Sequence, residues 1–270
     1  MEYISHQGEG QGMKKPWKES GLMPRIIHIL LYIMIISFLA GGILILVNGG
    51  TFISFTGLEE KKTEQIHIPC NDTKEFTLDL SVETGSVLIK PMDKEAATSM
   101  LMEATVQSTH PVSDRLFVVT QNQSTLAGVQ REECDIFDTL SEEDWDIYLN
   151  PDCATSLSVL LGDGDARLYL DSINLTSLDV SVGTGTLVVY VTGADIAVLP
   201  VRITNGIGHT EIILPENAQI HATVQKGIGD LSVTGFEQIK KYWVHTNTEP
   251  SPVITLEVDQ GIGDLVMYTL

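Results

Sequence analysis

Aspartates recur beside paired glycines in the C-terminal half of the sequence, where they could hold a cation. They are Asp163, Asp165, Asp230 and Asp264. Carboxylate oxygens are the ligands that Ca²⁺ prefers, and some repeat proteins bind it in glycine–aspartate turns. Those turns follow a nine-residue repeat that is absent here. An aspartate in a turn also caps its own backbone through an Asx hydrogen bond. Turn chemistry is therefore the favoured interpretation, and a calcium edge is the alternative.

The histidines that follow residue 60 form no catalytic or metal-binding pattern. They are His67, His110, His209, His221 and His245. None has the spacing of a zinc motif, and the sequence lacks a Gly-x-Ser-x-Gly nucleophile turn. The paired glycines are followed by strand-like segments, so they are not a dinucleotide fingerprint. We predict that the protein is not an enzyme, with no catalytic residue and no cofactor.

The three cysteines, Cys70, Cys134 and Cys153, lack metal-ligand spacing. Outside the cytosol, Cys134 and Cys153 could form a disulfide across the loop between them and leave Cys70 unpaired, while free buried thiols are the alternative.

Three N-glycosylation sequons begin at Asn71, Asn122 and Asn174. Their use depends on the organism.

A glycine turn repeats through the C-terminal half and organises the strands around it. The second glycine of each turn is Gly164, Gly185, Gly208, Gly229 or Gly263, and the spacings are 21, 23, 21 and 34 residues. Glycine supplies the positive φ that a sharp turn between strands needs. A period in the twenties is typical of a solenoid. The residues that follow these glycines should form a column of Asp165, Thr186, His209, Asp230 and Asp264.

Apolar and polar residues alternate on both sides of each turn. Such period-two alternation predicts strands with one buried face. Before the turns the predicted core positions include Leu157, Val180, Ile203, Val224 and Leu256, and after them Leu168, Val189, Ile212, Leu231, Val233 and Met267. One unit cannot bury its apolar face alone, so the units must stack. A single-stranded β-solenoid is favoured over a sandwich of hairpins.

The run 166–185, with its later Gly-Ile-Gly-Asp-Leu copies at 227–231 and 261–265, resembles the toastrack β-solenoid family of candidate adhesins. The chain is also similar to the C-terminal domain of the cell-wall-active-antibiotic-response membrane proteins, although those carry several membrane helices and this chain has one. The resemblance covers residues 155–270 well and 76–154 loosely. It implies an all-β single-stranded β-helix at the cell envelope, and it transfers no catalytic residue.

The net charge limits the possible partners, and one apolar segment indicates where the protein is located. The formal charge of −20 disfavours nucleic acid as a partner. Residues 26–47 carry no charge, and a helix of that length spans about 33 Å, enough to cross a bilayer. Basic residues precede this segment, which predicts a cytoplasmic N-terminus and an extracytoplasmic C-terminal domain. An uncleaved anchor is favoured over a cleaved signal peptide.

The predicted organisation is a cytoplasmic tail at 1–25, a transmembrane helix at 26–47, a linker at 48–75 and a β-solenoid at 76–270. An irregular insert at about 92–154 and a second at about 240–251 interrupt the solenoid, and the second accounts for the spacing of 34.

The predicted function is non-catalytic binding, adhesin-like or scaffolding, at the cell envelope. Its partners would be the lipid bilayer and other envelope proteins or glycans. One alternative is a sensor of envelope stress that acts on partner membrane proteins, supported by the small residues Ser37 and Gly41 of the anchor. A solenoid glycan hydrolase is disfavoured because Asp179, Glu211 and Glu257 are scattered.

Overall fold

The computed structural model describes residues 61–129, 142–191, 198–247 and 252–270. They belong to one compact unit, Glu59–Leu270. Within these ranges, no helix is long and apolar enough to cross a membrane. The predicted tail at 1–25 and transmembrane helix at 26–47 lie outside the described residues.

The described chain is almost entirely β-strand, so the predicted all-β class is confirmed. One short helix, α1 (Lys94–Ala97), interrupts the strands. The strands are β1 Lys62–Pro69, β2 Glu75–Pro91, β3 Met100–Ser108, β4 Leu116–Gln121, β5 Ser124–Val129, β6 Glu142–Leu149, β7 Ala154–Tyr169, β8 Leu175–Thr184, β9 Leu187–Tyr190, β10 Val198–Ile207, β11 Thr210–Leu214, β12 Gln219–Ile228, β13 Leu231–Thr234, β14 Glu237–Ile239, β15 Tyr242–His245, β16 Val253–Ile262 and β17 Leu265–Thr269.

A repeated rung builds the molecule. Each rung is a strand, a glycine corner and a second strand, and the rungs are β2, β7, β8–β9, β10–β11, β12–β13 and β16–β17. Stacked rungs pair in parallel, so the segments before the corners form one wall and those after the corners form a second wall. The inward apolar residues of both walls belong to one hydrophobic core.

The order of the rungs in the stack departs from their order in the chain. β2 pairs with β7, β7 with β8, and β8 with β10, as a sequential solenoid requires. β10 then pairs with β16, and β12 pairs with the other side of β16. In the second wall, β17 likewise lies between β11 and β13. The predicted sequential single-stranded β-helix is therefore wrong here, because the last repeat is inserted between two earlier ones.

A polar position before the corner gives a physical reason for this order. Asn205, Gln260 and Lys226 occupy it in register in three neighbouring rungs. Inside the stack, Gln260 donates to the Gly208 carbonyl at 3.0 Å and accepts from the Thr210 hydroxyl at 2.5 Å. Lys226 donates to the Gly229 carbonyl at the exposed end of the stack. A further rung outside Lys226 would bury its ammonium, at a cost of several kcal/mol.

The inserted rung also explains which predicted core positions are not buried. The predicted positions of the other rungs, such as Leu157, Leu168 and Met267, are buried. On β12–β13, Val224 and Val233 are half-buried and Leu231 is 39% exposed. Alternation predicted all three as core, but β12–β13 lies at the end of the stack, because the last repeat pairs on its inner side.

The first copy of the repeat is not isolated. β2 pairs with β7 along most of its length, and its other side pairs with β5 and then β6. β5 and β6 thus act as one more rung on the outer side of β2. Glu143 in this rung lies opposite Gly85. Its buried carboxylate forms an ion pair with Arg115 and accepts from the Trp145 indole at 3.0 Å.

Two predicted boundaries need correction. The linker predicted at 48–75 contains strand β1, which pairs antiparallel with β3, and β3 pairs antiparallel with β6. The second insert contains strand β15, which pairs antiparallel with β12 and covers part of its outer edge. Both departures add antiparallel strands at the ends of the parallel stack, where unpaired backbone groups would otherwise face solvent.

The glycine corners stack directly on one another. The predicted turn glycines Gly164, Gly185, Gly208, Gly229 and Gly263 all have positive φ. Gly208, for example, has a φ of 141°, and a Cβ on it would overlap the carbonyl oxygen of Gly185 in the next rung. Both the backbone conformation and the close approach of neighbouring rungs therefore require glycine.

Replacing Gly208 tests the corner directly. Gly208→Val should lower the free energy of unfolding by at least about 2 kcal/mol, because it adds backbone strain and a steric overlap. Chemical denaturation of both proteins measures the change. The neighbouring exposed residue provides the control, since His209→Ala should change stability by less than about 0.5 kcal/mol. Equal stability of the valine variant and the wild type would contradict the corner geometry.

Candidate functional site

Two of the aspartates beside the glycine turns, Asp165 and Asp264, form hydrogen bonds between neighbouring corners. Asp165 accepts a hydrogen bond from the Thr186 backbone N–H at 3.1 Å, and Asp264 accepts one from the Asp230 N–H at 2.9 Å. Each bond joins two neighbouring rungs. The column predicted from the sequence exists, but Asp264 precedes Asp230 within it, because β16–β17 lies inside β12–β13.

The calcium hypothesis for Asp163, Asp165, Asp230 and Asp264 stays a prediction. Within the part of the chain that the structure describes, no three histidine, cysteine or acidic side chains come together as a metal site. Thr186 and His209 separate Asp165 from Asp264 in the stack. The backbone bonds that Asp165 and Asp264 accept come from the neighbouring rung, whereas the sequence favours a bond to each aspartate's own turn.

The predicted histidines do not cluster with the scattered acids, of which Asp179 and Glu257 share one row on the first wall with Arg202 between them. His67 lies 3.8 Å from Glu103, whereas His245 contacts the backbone carbonyls of Gly235 and Glu216 far along the stack. Glu257 forms an ion pair with Arg202 at 2.8 Å on the outer face of the first wall. Glu211 lies on the second wall. These residues therefore form no shared pair of carboxylates.

The three sequons lie in connections between strands. Asn71 and Asn122 are exposed and have positive φ, whereas Asn174 is half-buried. Thr73, the hydroxyl residue of the first sequon, is buried and hydrogen-bonded to Thr125 at 2.9 Å. Their glycosylation stays a prediction.

The predicted Cys134–Cys153 pair stays a prediction, because Cys134 lies outside the described residues. Cys153 is a buried free thiol. Cys70 is also free and lies near enough to Cys153 for their charges to interact. Burial, with smaller effects from the charges of Cys70 and Glu75, raises the pKa of Cys153 to about 11.

This raised pKa predicts a pH dependence of stability. The folded protein keeps a proton on Cys153 that the unfolded chain releases near its ordinary pKa of about 8.5. The contribution of the neutral thiol is therefore complete below about pH 8.5 and is lost as pH rises towards 11. Urea denaturation at pH 8 and pH 10.5 should show a larger loss of stability for the wild type than for Cys153→Ala. Equal losses would contradict the raised pKa.

A row of tyrosines crosses the outer face of the second wall. We call it the tyrosine track, and it runs through six neighbouring strands as Tyr148, Lys90, Tyr169, Tyr190, Ile213 and Tyr268. Strands lie about 4.8 Å apart, so the track is about 24 Å long. Tyr169 is 37% exposed, and Tyr148, Tyr190 and Tyr268 are half-exposed. The track is thus an aromatic strip that a partner can reach.

The rings of the track are held in defined positions. Tyr169 and Tyr190 have ring centroids 6.4 Å apart with an angle of 52° between their planes. The Tyr268 hydroxyl donates to Glu211 at 2.9 Å, and this bond raises the pKa of Tyr268. Ile213, buried between Tyr190 and Tyr268, fixes the spacing at that end.

A second row lies beside the track, two residues closer to the corners. This companion row is Asp146, Leu88, Arg167, Val188, Glu211 and Val266 on the same six strands. Charged and aliphatic side chains alternate along it, so a charged side chain recurs at every second strand. The Oδ1 atom of Asp146 is buried without a hydrogen-bond partner.

Sequence reasoning missed the track, although part of its signal was present. Five members of the track occupy the same place in their repeats, the fifth residue after the second glycine of the turn. They are Tyr169, Tyr190, Ile213 and Tyr268, and Lys90, which is the fifth residue after Gly85. Aligning the repeats on that glycine therefore places them in one row. Tyr148 belongs to the irregular insert, and only the pairing of β6 with β2 adds it to the track.

Comparisons with known proteins agree with this architecture. The family model described as the N-terminal domain of toast_rack, DUF2154, matches residues 57–213. Because that match covers more than half of the chain, the chain belongs to this family. None of the curated proteins matches it.

Solved structures give the same fold. A crystal structure of a candidate cell adhesion protein from Clostridium sporogenes superposes with a TM-score of 0.68 at 18% identity, over 78% of this chain and 100% of that one. A candidate adhesin from Bacteroides fragilis has a TM-score of 0.31 at 6% identity, over 77% of this chain and 97% of that one. Only the first of these supports the fold, and neither identity is high enough to transfer a function.

Proposed function

We propose that this protein is a membrane-anchored, extracytoplasmic binding protein with a non-catalytic, adhesin-like role at the cell envelope. Its solenoid-like stack would be the rigid scaffold that presents the binding face. The tyrosine track carries this proposal, because exposed aromatic rows on a rigid sheet are typical of surfaces that bind partners. The candidate cell adhesion protein from Clostridium sporogenes shares the fold, which is consistent with a scaffold of this kind.

The shape of the described surface favours an extended partner over a small substrate. The track lies on an open sheet face, and the grooves on the first wall are shallow strips between rows of side chains such as Arg202, Glu257 and Asp179. Enzymes usually bury most of a small substrate in a concave pocket. An open face about 24 Å long instead suits a chain-like ligand.

The environment of the acidic residues supports a non-catalytic role. A glycosidase needs two carboxylates about 5–10 Å apart that flank one bond. Glu257 is engaged by Arg202, and Glu211 accepts from Tyr268. Asp179 and Glu257 share one row on the first wall, but the guanidinium of Arg202 lies between them, and Glu211 lies on the other wall.

The anchor and the orientation are proposed from the sequence. Residues 26–47 would cross the membrane with the N-terminus in the cytoplasm, which would place the tyrosine track outside. The alternative role as a regulator of partner membrane proteins depends on Ser37 and Gly41, which lie outside the described residues.

A sedimentation assay tests the proposed role. The full-length protein is reconstituted in lipid vesicles and mixed with isolated envelopes of the cells that express it. We expect protease treatment to remove the C-terminal domain from the vesicle exterior, and the vesicles to sediment with the envelopes without releasing reducing sugars. Protein-free vesicles are the control. Loss of co-sedimentation would contradict binding, and release of sugars would contradict the non-catalytic role.

A further inference from the structure

We propose that the tyrosine track is the binding site for an extended, uncharged, β-linked glycan that lies along the stack with one sugar over each strand. This inference rests on the proposed binding function and assigns its ligand class. Four features support it: the faces of the tyrosine rings, the spacing of the strands with the alternation of the companion row, the balance of charge in the two rows, and the polar groups beside the rings.

The aromatic faces suit the flat side of a sugar ring. The face of a tyrosine ring carries partial negative charge, which attracts the slightly positive C–H groups on one side of a pyranose. Tyr169 and Tyr190 lie on adjacent strands and are tilted relative to each other by 52°, so neither ring covers the other. Tyr148 and Tyr268 extend the same strip in both directions.

The spacing of the track matches a β-linked chain. Neighbouring strands are about 4.8 Å apart, and an extended β-linked chain advances by close to one strand spacing per sugar. Successive sugars in such a chain are turned over, so chemically equal edges recur at every second sugar. The companion row offers a charged side chain at every second strand, as Asp146, Arg167 and Glu211 alternate with aliphatic side chains, although the sign of the charge alternates.

The charge of the two rows favours a neutral ligand. Lys90 and Arg167 contribute two positive charges, while Asp146 and Glu211 contribute two negative charges, so the rows sum to zero. The whole chain carries −20. A polyanion would meet this strongly negative protein, and a polycation would find many more acidic sites elsewhere on it. A neutral glycan fits a charge-balanced strip.

The polar groups beside the rings suit sugar hydroxyls. Arg167 and Glu211 could donate to and accept from hydroxyl groups on alternate sugars. The Oδ1 atom of Asp146 has no hydrogen-bond partner, and the Tyr148 hydroxyl lies 3.5 Å from its Oδ2 atom. A ligand hydroxyl that reached Oδ1 would relieve the cost of this unpaired oxygen.

Calorimetry with defined oligosaccharides tests the inference on the full-length protein in detergent. The probes are cellohexaose and chitohexaose, which are neutral and β-linked, with α-linked maltohexaose as the geometric control. We expect at least one β-linked hexasaccharide to bind roughly tenfold more tightly than maltohexaose, and its disaccharide to bind more weakly than the hexasaccharide.

Variants assign the binding to the track. Tyr169→Ala and Tyr190→Ala should each weaken binding by roughly five- to tenfold, the loss of one aromatic contact. Tyr169→Phe keeps the ring face and should bind within about twofold of the wild type. Tyr242, on the hairpin outside the track, is 42% exposed, and Tyr242→Ala should bind as the wild type does. Thermal unfolding of each variant separates lost contacts from lost folding.

Several outcomes would overturn the glycan inference: no binding of either β-linked hexasaccharide, equal binding of maltohexaose, or unchanged binding by both alanine variants. If Tyr169→Ala were to unfold, Tyr169→Phe and the dependence on oligosaccharide length would still decide the question. If the alanine variants still co-sedimented with envelopes, the glycan site would be contradicted but the adhesin-like role would not. Hexasaccharide binding without envelope co-sedimentation would contradict the proposed cellular role instead.

Discussion

The structure depends on the close contact between glycine corners of neighbouring rungs. At Gly164, Gly185, Gly208 and Gly263, a Cβ would overlap the carbonyl oxygen of the glycine in the adjacent rung. This close contact fixes the register of neighbouring rungs, because the glycine corners pack directly over one another. The strands on both sides of the corner then pair residue by residue. Burial of the inward apolar residues follows from that register.

The same register turns every outward position into a row. A residue at one distance from the corner lies beside its equivalents in the neighbouring rungs, so a repeated side chain becomes a continuous strip. The tyrosine track and its companion row arise in this way on the second wall. On the first wall, the equivalent rows carry Asp179, Arg202 and Glu257. Binding surfaces of this kind need no loop, since the stack itself fixes their spacing.

Most of the repeat was predictable because its signals are local. Positive φ at the glycines and alternation of apolar residues are properties of a single unit, so the all-β class, the corners and most buried positions follow from the sequence. The turn role of Asp165 and Asp264 follows in the same way. The hydrogen bonds that these two residues accept come from the next rung, as stacked corners allow.

The order of the rungs could not be read from the units, because units with the same pattern fit over one another in any order. The units differ in the polar residue before the corner. The Lys226 ammonium must stay in contact with solvent, whereas the Gln260 amide forms hydrogen bonds with Gly208 and Thr210 inside the stack. The antiparallel strand β1 escaped prediction because it lacks the glycine corner and lies in the segment predicted as a linker. Tyr148 was missed for the same reason, and the track was therefore not visible as a whole.

Disulfide trapping tests the inserted rung most directly. Ile207 and Ile262 are register partners on adjacent strands, and Ile262 separates Ile207 from Ile228. Adjacent positions, about 4.8 Å apart, lie within the range that a disulfide can bridge, whereas positions two strands apart do not. With the native cysteines replaced by alanine, Ile207→Cys with Ile262→Cys should form a disulfide under mild oxidation. Ile207→Cys with Ile228→Cys should not form one. The opposite result would restore a sequential solenoid and contradict the rung order.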